Sequence, residues 1–303
     1  MSKKFDLEAF KKSIEVEDTP LKKDKFVEVD ECLQELMGLN GWPLGHISMV
    51  YGLSDTSKTT LMFNGMAQAQ KCGILPVAII TEGKVDWERA QALGVDLDFL
   101  IRNEQCDFLE DVFEFIDKLI SKVNKGDLPY DVMIFYDSVG NTLSKDEITE
   151  NDDGTWDKKA TMMKASKVIT ENMRTLSKKI NDTRKVSCPQ TVGLFIINQA
   201  YTQPPKFPGG REALIPYGGK GIYYRASLII RTARTKRLTA TKDKKTYGYG
   251  IVAKISVEKN HISSTTNSGE FVVTANAIIP NEPTAIKKYK EENKEDWGVI
   301  DED

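Results

Sequence analysis

The sequence has few of the residues that cross-link small secreted proteins. Its four cysteines, Cys32, Cys72, Cys106 and Cys188, are widely separated and form no C-x-x-C pair or cysteine–histidine cluster. A disulfide framework and a structural zinc site are therefore not expected. We expect free thiols in a reducing cytoplasm.

Long apolar runs are also missing. No stretch of about 18 apolar residues occurs, so no transmembrane helix is expected. The first residues, MSKKFDLEAFKK, are charged and lack the apolar stretch of a signal peptide. The sequence therefore predicts a cytoplasmic protein that has no membrane partner.

The chain as a whole shows no excess of positive charge. Such an excess is common in nucleic-acid-binding domains. Its 303 residues include 42 Lys and Arg against 45 Asp and Glu, a formal net charge of −3. The charges are unevenly placed, because residues 231–245 are strongly basic and residues 291–303 are strongly acidic. An acidic end can mask a basic core in the total, so the net charge does not exclude a DNA-binding protein.

Apolar segments alternate with helical patterns along most of the chain. Strands are predicted at 46–52, 75–82, 130–138 and 191–199, and long helices at 58–73, 108–123 and 159–180. This alternation predicts an α/β fold in which a mostly parallel central sheet is flanked by helices. The predicted organisation is an N-terminal oligomerisation arm and linker at 1–30, a core at 31–278 and an acidic C-terminal tail at 279–303.

Residues 51–61, YGLSDTSKTTL, differ by one residue from a phosphate-binding loop. The motif is glycine, four residues, glycine, lysine, then serine or threonine; Gly52, Lys58 and Thr59 match it, and Ser57 replaces the second glycine. A strand, a turn and a helix N-terminus in this order direct backbone N–H groups at phosphates. Lys58 would reach the terminal phosphates and Thr59 would bind magnesium, the alternative being a turn that binds no ligand.

Two carboxylates follow other predicted strands. Asp137 ends the run VMIFYD, where a magnesium-binding acid of such a site is expected. Glu82 ends AIITE, where it could position a water molecule. The ends of parallel strands meet at one sheet edge, so both should lie near the loop. A surface glutamate without a role is the alternative for Glu82.

These segments resemble the RecA family of ATP-dependent recombinases from about residue 27 to about residue 275. The matching segments are GLSDTSKTTL, TEGKVDWERAQALGVDLDFL, VMIFYDSVGNTLSKDEI, FIINQA, YGGKGIYYRAS and VEKNHIS. The phrase DSVGNTLSKDE and the altered loop are most similar to the UvsX recombinases of T-even-like phages, which also lack the second loop glycine. The resemblance implies a RecA-like P-loop ATPase that uses ATP and Mg²⁺. It also implies helical filaments on single-stranded DNA, homologous pairing with double-stranded DNA, and strand exchange.

The resemblance also implies roles for individual residues. Glu82 resembles the glutamate that activates water, Asp137 the acid on magnesium, and Gln199 the residue that senses the terminal phosphate. Asp86 resembles the residue that contacts the adenine amino group, and Arg89 stands where the family usually stacks a tyrosine on adenine. Lys259 and His261 match two lysines that approach the neighbouring subunit's ATP. The implied nucleotide contacts are Gly52, Leu53, Ser54, Asp55, Thr56, Ser57, Lys58, Thr59, Thr60, Asp86 and Arg89.

Two segments are predicted to contact DNA. Residues 147–166 contain lysines for phosphates and methionines as wedges between bases, namely Lys158, Lys159, Lys164, Met162 and Met163. Residues 200–227, long and rich in Gly and Pro, interleave cations with an aromatic residue, as suits single-stranded DNA: Lys206, Phe207, Arg211, Lys220 and Arg225. A merely mobile loop is the alternative. Tyr223 and Tyr224 are predicted to begin the next strand, and residues 231–245 to form a hairpin that could assist duplex capture through Arg234, Lys236 or Arg237.

Bacterial relatives in this family carry a further C-terminal domain after the core. Here only residues 279–303 follow the core, so a separate duplex-binding domain is not expected. The acidic tail could bind a loader or a single-strand-binding protein, and residues 25–29, KFVEV, could pack on the next subunit. Two other functions stay open. A ring helicase motor would form six-membered rings rather than filaments. A non-enzymatic filament accessory, supported by Ser57, Arg89 and His261, would show no ATPase activity with or without single-stranded DNA.

Overall fold

The computed structural model describes residues 6–14, 19–83, 85–150, 156–158, 162–205, 207, 209–210, 212–242 and 244–293. Within them the helices are α1 (Leu7–Ser13), α2 (Glu31–Met37), α3 (Lys58–Lys71), α4 (Trp87–Ala92), α5 (Leu109–Asn124), α6 (Met162–Asp182), α7 (Lys220–Arg225) and α8 (Pro283–Glu292). The strands are β1 (Phe26–Glu28), β2 (Gly41–Pro43), β3 (Ile47–Gly52), β4 (Leu75–Ile80), β5 (Ile101–Asn103), β6 (Val132–Asp137), β7 (Ile148–Glu150), β8 (Trp156–Lys158), β9 (Val192–Gln203), β10 (Ala213–Pro216), β11 (Leu228–Lys242), β12 (Lys245–Asn260), β13 (Ser268–Thr274) and β14 (Ile278–Pro280). Among the described helices, none combines the length and apolarity needed to span a bilayer.

The central sheet has the strand order β14-β13-β12-β11-β3-β9-β6-β4-β5. Neighbours from β11 to β5 pair in parallel. The pairs among β11, β12, β13 and β14 are antiparallel. The predicted α/β fold with a mostly parallel sheet is confirmed. Because β3, β9 and β6 are adjacent and parallel in the sheet, the segments that follow them emerge side by side at one edge.

The position of strand β6 between two layers of helices explains why its sequence is almost entirely apolar. Successive side chains of a strand point to opposite faces of the sheet. Met133 and Phe135 pack in the cluster that contains α2 and α3, whereas Ile134 and Tyr136 pack in the cluster that contains α5 and α6. Both faces are covered by helices, so every position of β6 is buried.

Helix α5 forms because its apolar residues recur every three or four positions. Its buried side chains are Leu109, Val112, Phe113, Ile116, Ile120 and Val123. This spacing places them on one face of a helix. Burying each such side chain stabilises the fold by about 1.5–3 kcal/mol. Charged residues of the opposite face form exposed pairs such as Lys118 with Glu114.

The segment 200–227 is more regular than its composition predicts. Strand β9 continues to Gln203 and pairs in antiparallel fashion with β10, where Tyr201 faces Ile215. This pairing satisfies backbone groups that a single extended strand would leave without partners. The prediction that Tyr223 and Tyr224 begin a strand was wrong, because both lie in α7. That helix buries Ile222 and leaves Tyr224 65% exposed.

Residues 22–28 and helix α8 pack on the core, whereas Phe10 and Ile14 in and after α1 are exposed. Strand β1 lies within the segment 25–29 that could pack on the next subunit; it pairs with β2 of the same chain, and Val27 is fully buried. The Lys22 ammonium donates to the Thr183 carbonyl and the Thr191 hydroxyl, both at 3.1 Å. Within 279–303, helix α8 places Tyr289 in an apolar cluster with Leu238 and Tyr249.

Candidate nucleotide-binding site

The loop between β3 and α3 contains two residues with positive φ. Asp55 has φ 56° and Ser57 has φ 74°. Glycine adopts this left-handed region freely, whereas a residue with a side chain does so at a cost of roughly 1–2 kcal/mol. Ser57 therefore takes the conformation that the missing glycine would favour, and its hydroxyl donates to the Thr56 carbonyl. The serine is compatible with the turn.

Strand β11 holds both ends of the loop. A Cβ atom on Gly52 would lie 2.4 Å from the Thr232 carbonyl oxygen, so this position requires glycine. The Thr56 hydroxyl lies 2.8 Å from the Leu53 carbonyl oxygen and 2.9 Å from the Thr232 hydroxyl. Sequence reasoning missed Thr232, because its part depends on the register that sets it beside Gly52.

Lys58, Thr59 and Asp137 meet where α3 begins. The Lys58 ammonium donates to the Leu53 carbonyl at 2.7 Å, and burial lowers the pKa of Lys58. The Thr59 hydroxyl donates to the Asp137 carboxylate at 3.2 Å. Burial and the nearby Glu82 raise the pKa of Asp137 to about 7. A buried carboxylate beside a hydroxyl fits Mg²⁺, which takes oxygen ligands and would favour the charged carboxylate.

Three side chains donate to one oxygen of Glu82. They are the Ser138 hydroxyl at 2.6 Å, the Gln199 amide at 3.1 Å and the Asn141 amide. The structure thus brings Glu82 and Gln199 together across strand ends, as the strand order requires. Ser138 and Asn141 were not predicted as site residues, although both stand in the phrase DSVGN directly after Asp137.

Asp86 caps the start of α4 and Arg89 lies within it, on one side of a cleft of about 780 Å³ that residues 55–60 also line. Asp86 accepts a hydrogen bond from the Arg89 backbone N–H at 2.9 Å, which fixes the start of the helix. The Arg89 guanidinium donates to the Thr60 hydroxyl at 2.9 Å. The facing wall comes from β11, β12 and β13 and includes Arg234 and Arg237. The cleft is large enough for a nucleotide, because pockets that bind small molecules and cofactors usually measure about 300–1,000 Å³.

Comparison with known proteins agrees with this geometry. The family described as RecA N-terminal domain matches residues 11–279. The chain belongs to the RecA family. It is 32% identical over 232 residues to Protein RecA of Mycoplasma genitalium, covering 76% of this chain and 61% of that protein. It is 31% identical over 232 residues to Protein RecA of Streptococcus pyogenes serotype M5, covering 77% and 56%. The chain thus spans about three-fifths of the length of these relatives.

In this RecA-family chain, Lys259 and His261 lie away from the cleft. Lys259 pairs with Ile229, whereas Thr232 stands beside the loop. Three residues of strand separate the two places by roughly 10 Å. The Lys259 ammonium donates to the carbonyls of Tyr223 and Tyr224 at 2.9 and 3.2 Å.

The DNA-contact predictions fall partly outside the described residues. Lys159, Lys206 and Arg211 lie outside them, and so do the side chains of Lys158, Met162 and Met163. Phe207 is 68% exposed. The Lys164 ammonium donates to the Asp146 carbonyl at 3.0 Å. Lys220 and Arg225 are exposed at opposite ends of α7, so the structure separates Arg225 from the other residues of the segment.

Proposed function

We propose that this chain is an ATP-dependent DNA recombinase, a DNA-dependent ATPase that forms helical filaments on single-stranded DNA and exchanges strands with a homologous duplex. The observation that carries the proposal is the 3.1 Å hydrogen bond from Gln199 to Glu82. Glu82 lies beside the phosphate loop, and Gln199 precedes the segment 200–227. A change at the nucleotide therefore has a direct route to the segment that would hold DNA.

The chain's own residues would divide the work of hydrolysis. The loop N–H groups and Lys58 bind the phosphates. Thr59 and Asp137 would hold Mg²⁺, which supplies charge neutralisation on the phosphate oxygens. Glu82 accepts a proton from the attacking water, and the donors on its carboxylate oxygen hold it in place.

A neighbouring subunit would complete the site. Lys259 and His261 lie away from their own cleft, so in a filament they would approach the nucleotide of the next copy. Cations that reach across an interface stabilise the charge that develops during phosphoryl transfer. A head-to-tail interface generates a filament when its rotation does not close into a ring. ATP between subunits would stabilise the DNA-binding state, and hydrolysis would loosen it.

Single-stranded DNA would lie along the segments 147–166 and 200–227. The exposed Phe207 can stack on bases, and Lys164 and Lys220 can meet phosphates. Arg225 and the predicted residues outside the described ranges remain part of this proposal. We assign the chain to the UvsX type because Ser57 occupies the second glycine position, and we propose a cytoplasmic site of action with loader and single-strand-binding proteins as partners.

A strand-exchange assay with Lys58→Ala tests the nucleotide assignment. The variant should bind little ATP and exchange no strands, whereas wild-type ATPase activity should rise when single-stranded DNA is added. Strand exchange retained in Lys58→Ala would refute the site. Absence of ATPase activity in the wild type would favour a filament accessory.

Electron microscopy and a salt titration test the remaining parts. Filaments on single-stranded DNA support the proposal, and six-membered rings would favour a helicase motor. DNA affinity should fall steeply as salt increases, because phosphate contacts release counterions. An affinity independent of salt would contradict the DNA-contact assignment.

A further inference from the structure

Two arginines of strand β11, Arg234 and Arg237, line the nucleotide cleft on the wall that faces α4. Among the described residues of β11, β12 and β13 that line this wall, no other side chain is charged. Lys236 lies between the two arginines in sequence but does not line the cleft. The roles proposed above for the phosphate loop and Lys58 leave both arginines without a function.

An irregularity in strand β11 places the two arginines on the same face of the sheet. In a regular strand, residues three apart point to opposite faces. The register of β11 with β12 steps over Thr235, whose hydroxyl donates to the Val252 carbonyl at 3.2 Å. This β-bulge adds one residue between Arg234 and Arg237 and so turns both to one side. Bulges of this kind are frequent next to active sites, where they redirect a side chain.

The face that both arginines share is the one covered by α3. Arg234 pairs with Ala253 and Arg237 pairs with Ile251. Residues directly opposite each other on antiparallel strands point to the same face. Ala253 and Ile251 pack in the cluster that contains α2 and α3. Because the phosphate loop leads into α3, both arginines lie on the loop's side of the sheet.

Arg234 lies just beyond the phosphate loop. Thr232, two residues earlier on β11, contacts the Thr56 hydroxyl of the loop at 2.9 Å, and two residues of strand advance roughly 7 Å. The acidic residues that line the cleft belong to the loop and the start of α4: Asp55, Asp86 and Glu88. Among the described residues, these included, none forms a hydrogen bond or ion pair with the Arg234 side chain. Its charge is therefore available to an anionic ligand.

Glycine at position 248 makes room for Arg237. A Cβ atom on Gly248 would lie 2.9 Å from Nε and 3.0 Å from Nη2 of Arg237. A side chain there would displace the guanidinium from its place in the wall. Gly248 itself lines the cleft, so the absence of a side chain also keeps this part of the wall open.

The cleft contains the part of a nucleotide that lies between the base and the terminal phosphate. It extends from the loop to Asp86 and Arg89, the residues implied in contact with adenine. Of the described site residues at the terminal-phosphate end, Glu82, Asp137 and Gln199 do not line it. The ribose and the α- and β-phosphates lie between these two ends of ATP. A guanidinium binds phosphate oxygens through two parallel hydrogen bonds, so the arginines face phosphates that ATP and ADP share.

We propose that Arg234 and Arg237 bind the α- and β-phosphates of the nucleotide in their own subunit and set the affinity for ATP and ADP alike. The inference rests on the proposed function, which places a nucleotide in this cleft. Contacts made equally to substrate and transition state lower KM without raising kcat. Duplex DNA is the competing ligand. A hairpin that gripped DNA would use Lys236 as well, whereas the bulge directs only the two arginines into the cleft.

Calorimetric titration of the full chain with ADP and Mg²⁺, in the absence of DNA, tests the inference. Arg234→Ala should weaken ADP binding about tenfold or more, because a hydrogen bond to a charged group is among the stronger ones. Arg234→Lys should give an intermediate loss, since lysine keeps the charge but not the planar fork. The control Lys254→Ala removes one positive charge at an exposed residue of β12 outside the cleft and should change the affinity less than about twofold.

Steady-state ATP hydrolysis with single-stranded DNA gives a second measurement. Arg234→Ala should raise KM about tenfold and keep kcat within about twofold of the wild type, as expected when binding is lost equally from substrate and transition state. A lower kcat at unchanged KM would make Arg234 a group that acts in the transition state, and it would overturn the inference.

The outcomes separate this inference from the proposed function. If the wild type and Arg234→Ala bind ADP equally well, the inference is overturned and the proposed function stands. If Arg234→Ala loses affinity for duplex DNA but retains its affinity for ADP, the ligand is DNA and the inference fails. Equal losses of ADP affinity in Arg234→Ala and Lys254→Ala would reveal a general effect of charge and would also overturn it. If the wild type binds no nucleotide, the proposed function and the inference both fail.

Discussion

The Ser57→Gly variant should be more stable than the Ser57→Ala variant, although glycine normally makes a folded protein less stable than alanine does. Ser57 has φ 74°, a conformation that costs a residue with a side chain about 1–2 kcal/mol. Replacing alanine by glycine removes this cost but adds about 0.5–1 kcal/mol of chain entropy that folding must remove. The balance favours glycine by about 0.5–1 kcal/mol.

Ser54 in the same loop provides the matched control, because its φ is not positive. There the entropy term acts alone, so glycine should be less stable than alanine by about 0.5–1 kcal/mol. Comparing alanine with glycine at each site cancels the loss of the serine hydroxyl. The sign of the difference should therefore reverse between the two positions.

Urea unfolding of the four nucleotide-free variants measures these differences from midpoints at a constant slope. Thermal unfolding should show them as shifts of about 1–2 °C, because an unfolding entropy of about 2.1 cal/mol/K per residue gives roughly 1.6 °C per kcal/mol for 303 residues. A destabilising alanine-to-glycine change at both positions would refute the claim that Ser57 is held in a strained turn. Ser57→Gly should also retain ATP binding.

Three further predictions follow from contacts outside the loop. Asn141→Ala should lower kcat for ATP hydrolysis about 10- to 100-fold and leave KM unchanged, because the hydrogen bond that Asn141 donates to the Glu82 carboxylate is worth about 1.5–3 kcal/mol and Glu82 acts on the attacking water. A change confined to KM would contradict this. Burial and Arg184 lower the pKa of His46 from its ordinary value of 6.5 to about 4. Between these two pH values the unfolded chain binds a proton that the folded chain does not. The free energy of unfolding should therefore fall as the pH drops from 6.5 towards 4. His46→Gln should abolish that fall, worth about 1 kcal/mol near pH 5 once solvent screening is allowed for, as unfolding at several pH values will show. Tyr289→Ala should cost about 3 kcal/mol of unfolding free energy, with Tyr289→Phe costing only about 1 kcal/mol for its hydroxyl hydrogen bond; equal losses would show that the ring packs little.

The central strands and the longest helices were predictable because burial of their side chains requires a simple pattern of apolar residues in the sequence. Strand β6 is enclosed on both faces and therefore apolar at each position, and α5 is buried on one face and therefore periodic. The convergence of Thr59, Asp137 and Glu82 was predictable for the same reason, since each follows or begins an element at the carboxyl edge of a parallel sheet.

Other features depend on partners that sequence proximity does not reveal. Helix α7 buries mainly Ile222. One buried apolar residue is too few to show the periodic pattern that indicates a helix. Strand β10 is specified by its pairing with the extension of β9. The contact of Thr232 with the loop depends on the register of β11 against β3, and Asn141 reaches Glu82 from another strand end. Such contacts are fixed by tertiary structure rather than by local pattern.

The affinity for a fluorescent single-stranded oligonucleotide, measured by anisotropy with and without a non-hydrolysable ATP analogue and magnesium, tests the central claim most directly. If the nucleotide held at 52–59 controls the DNA-binding segment through Glu82 and Gln199, the analogue should tighten binding by the wild type at least tenfold. Binding by Lys58→Ala should not change. Equal affinity of the wild type with and without the analogue would contradict the account.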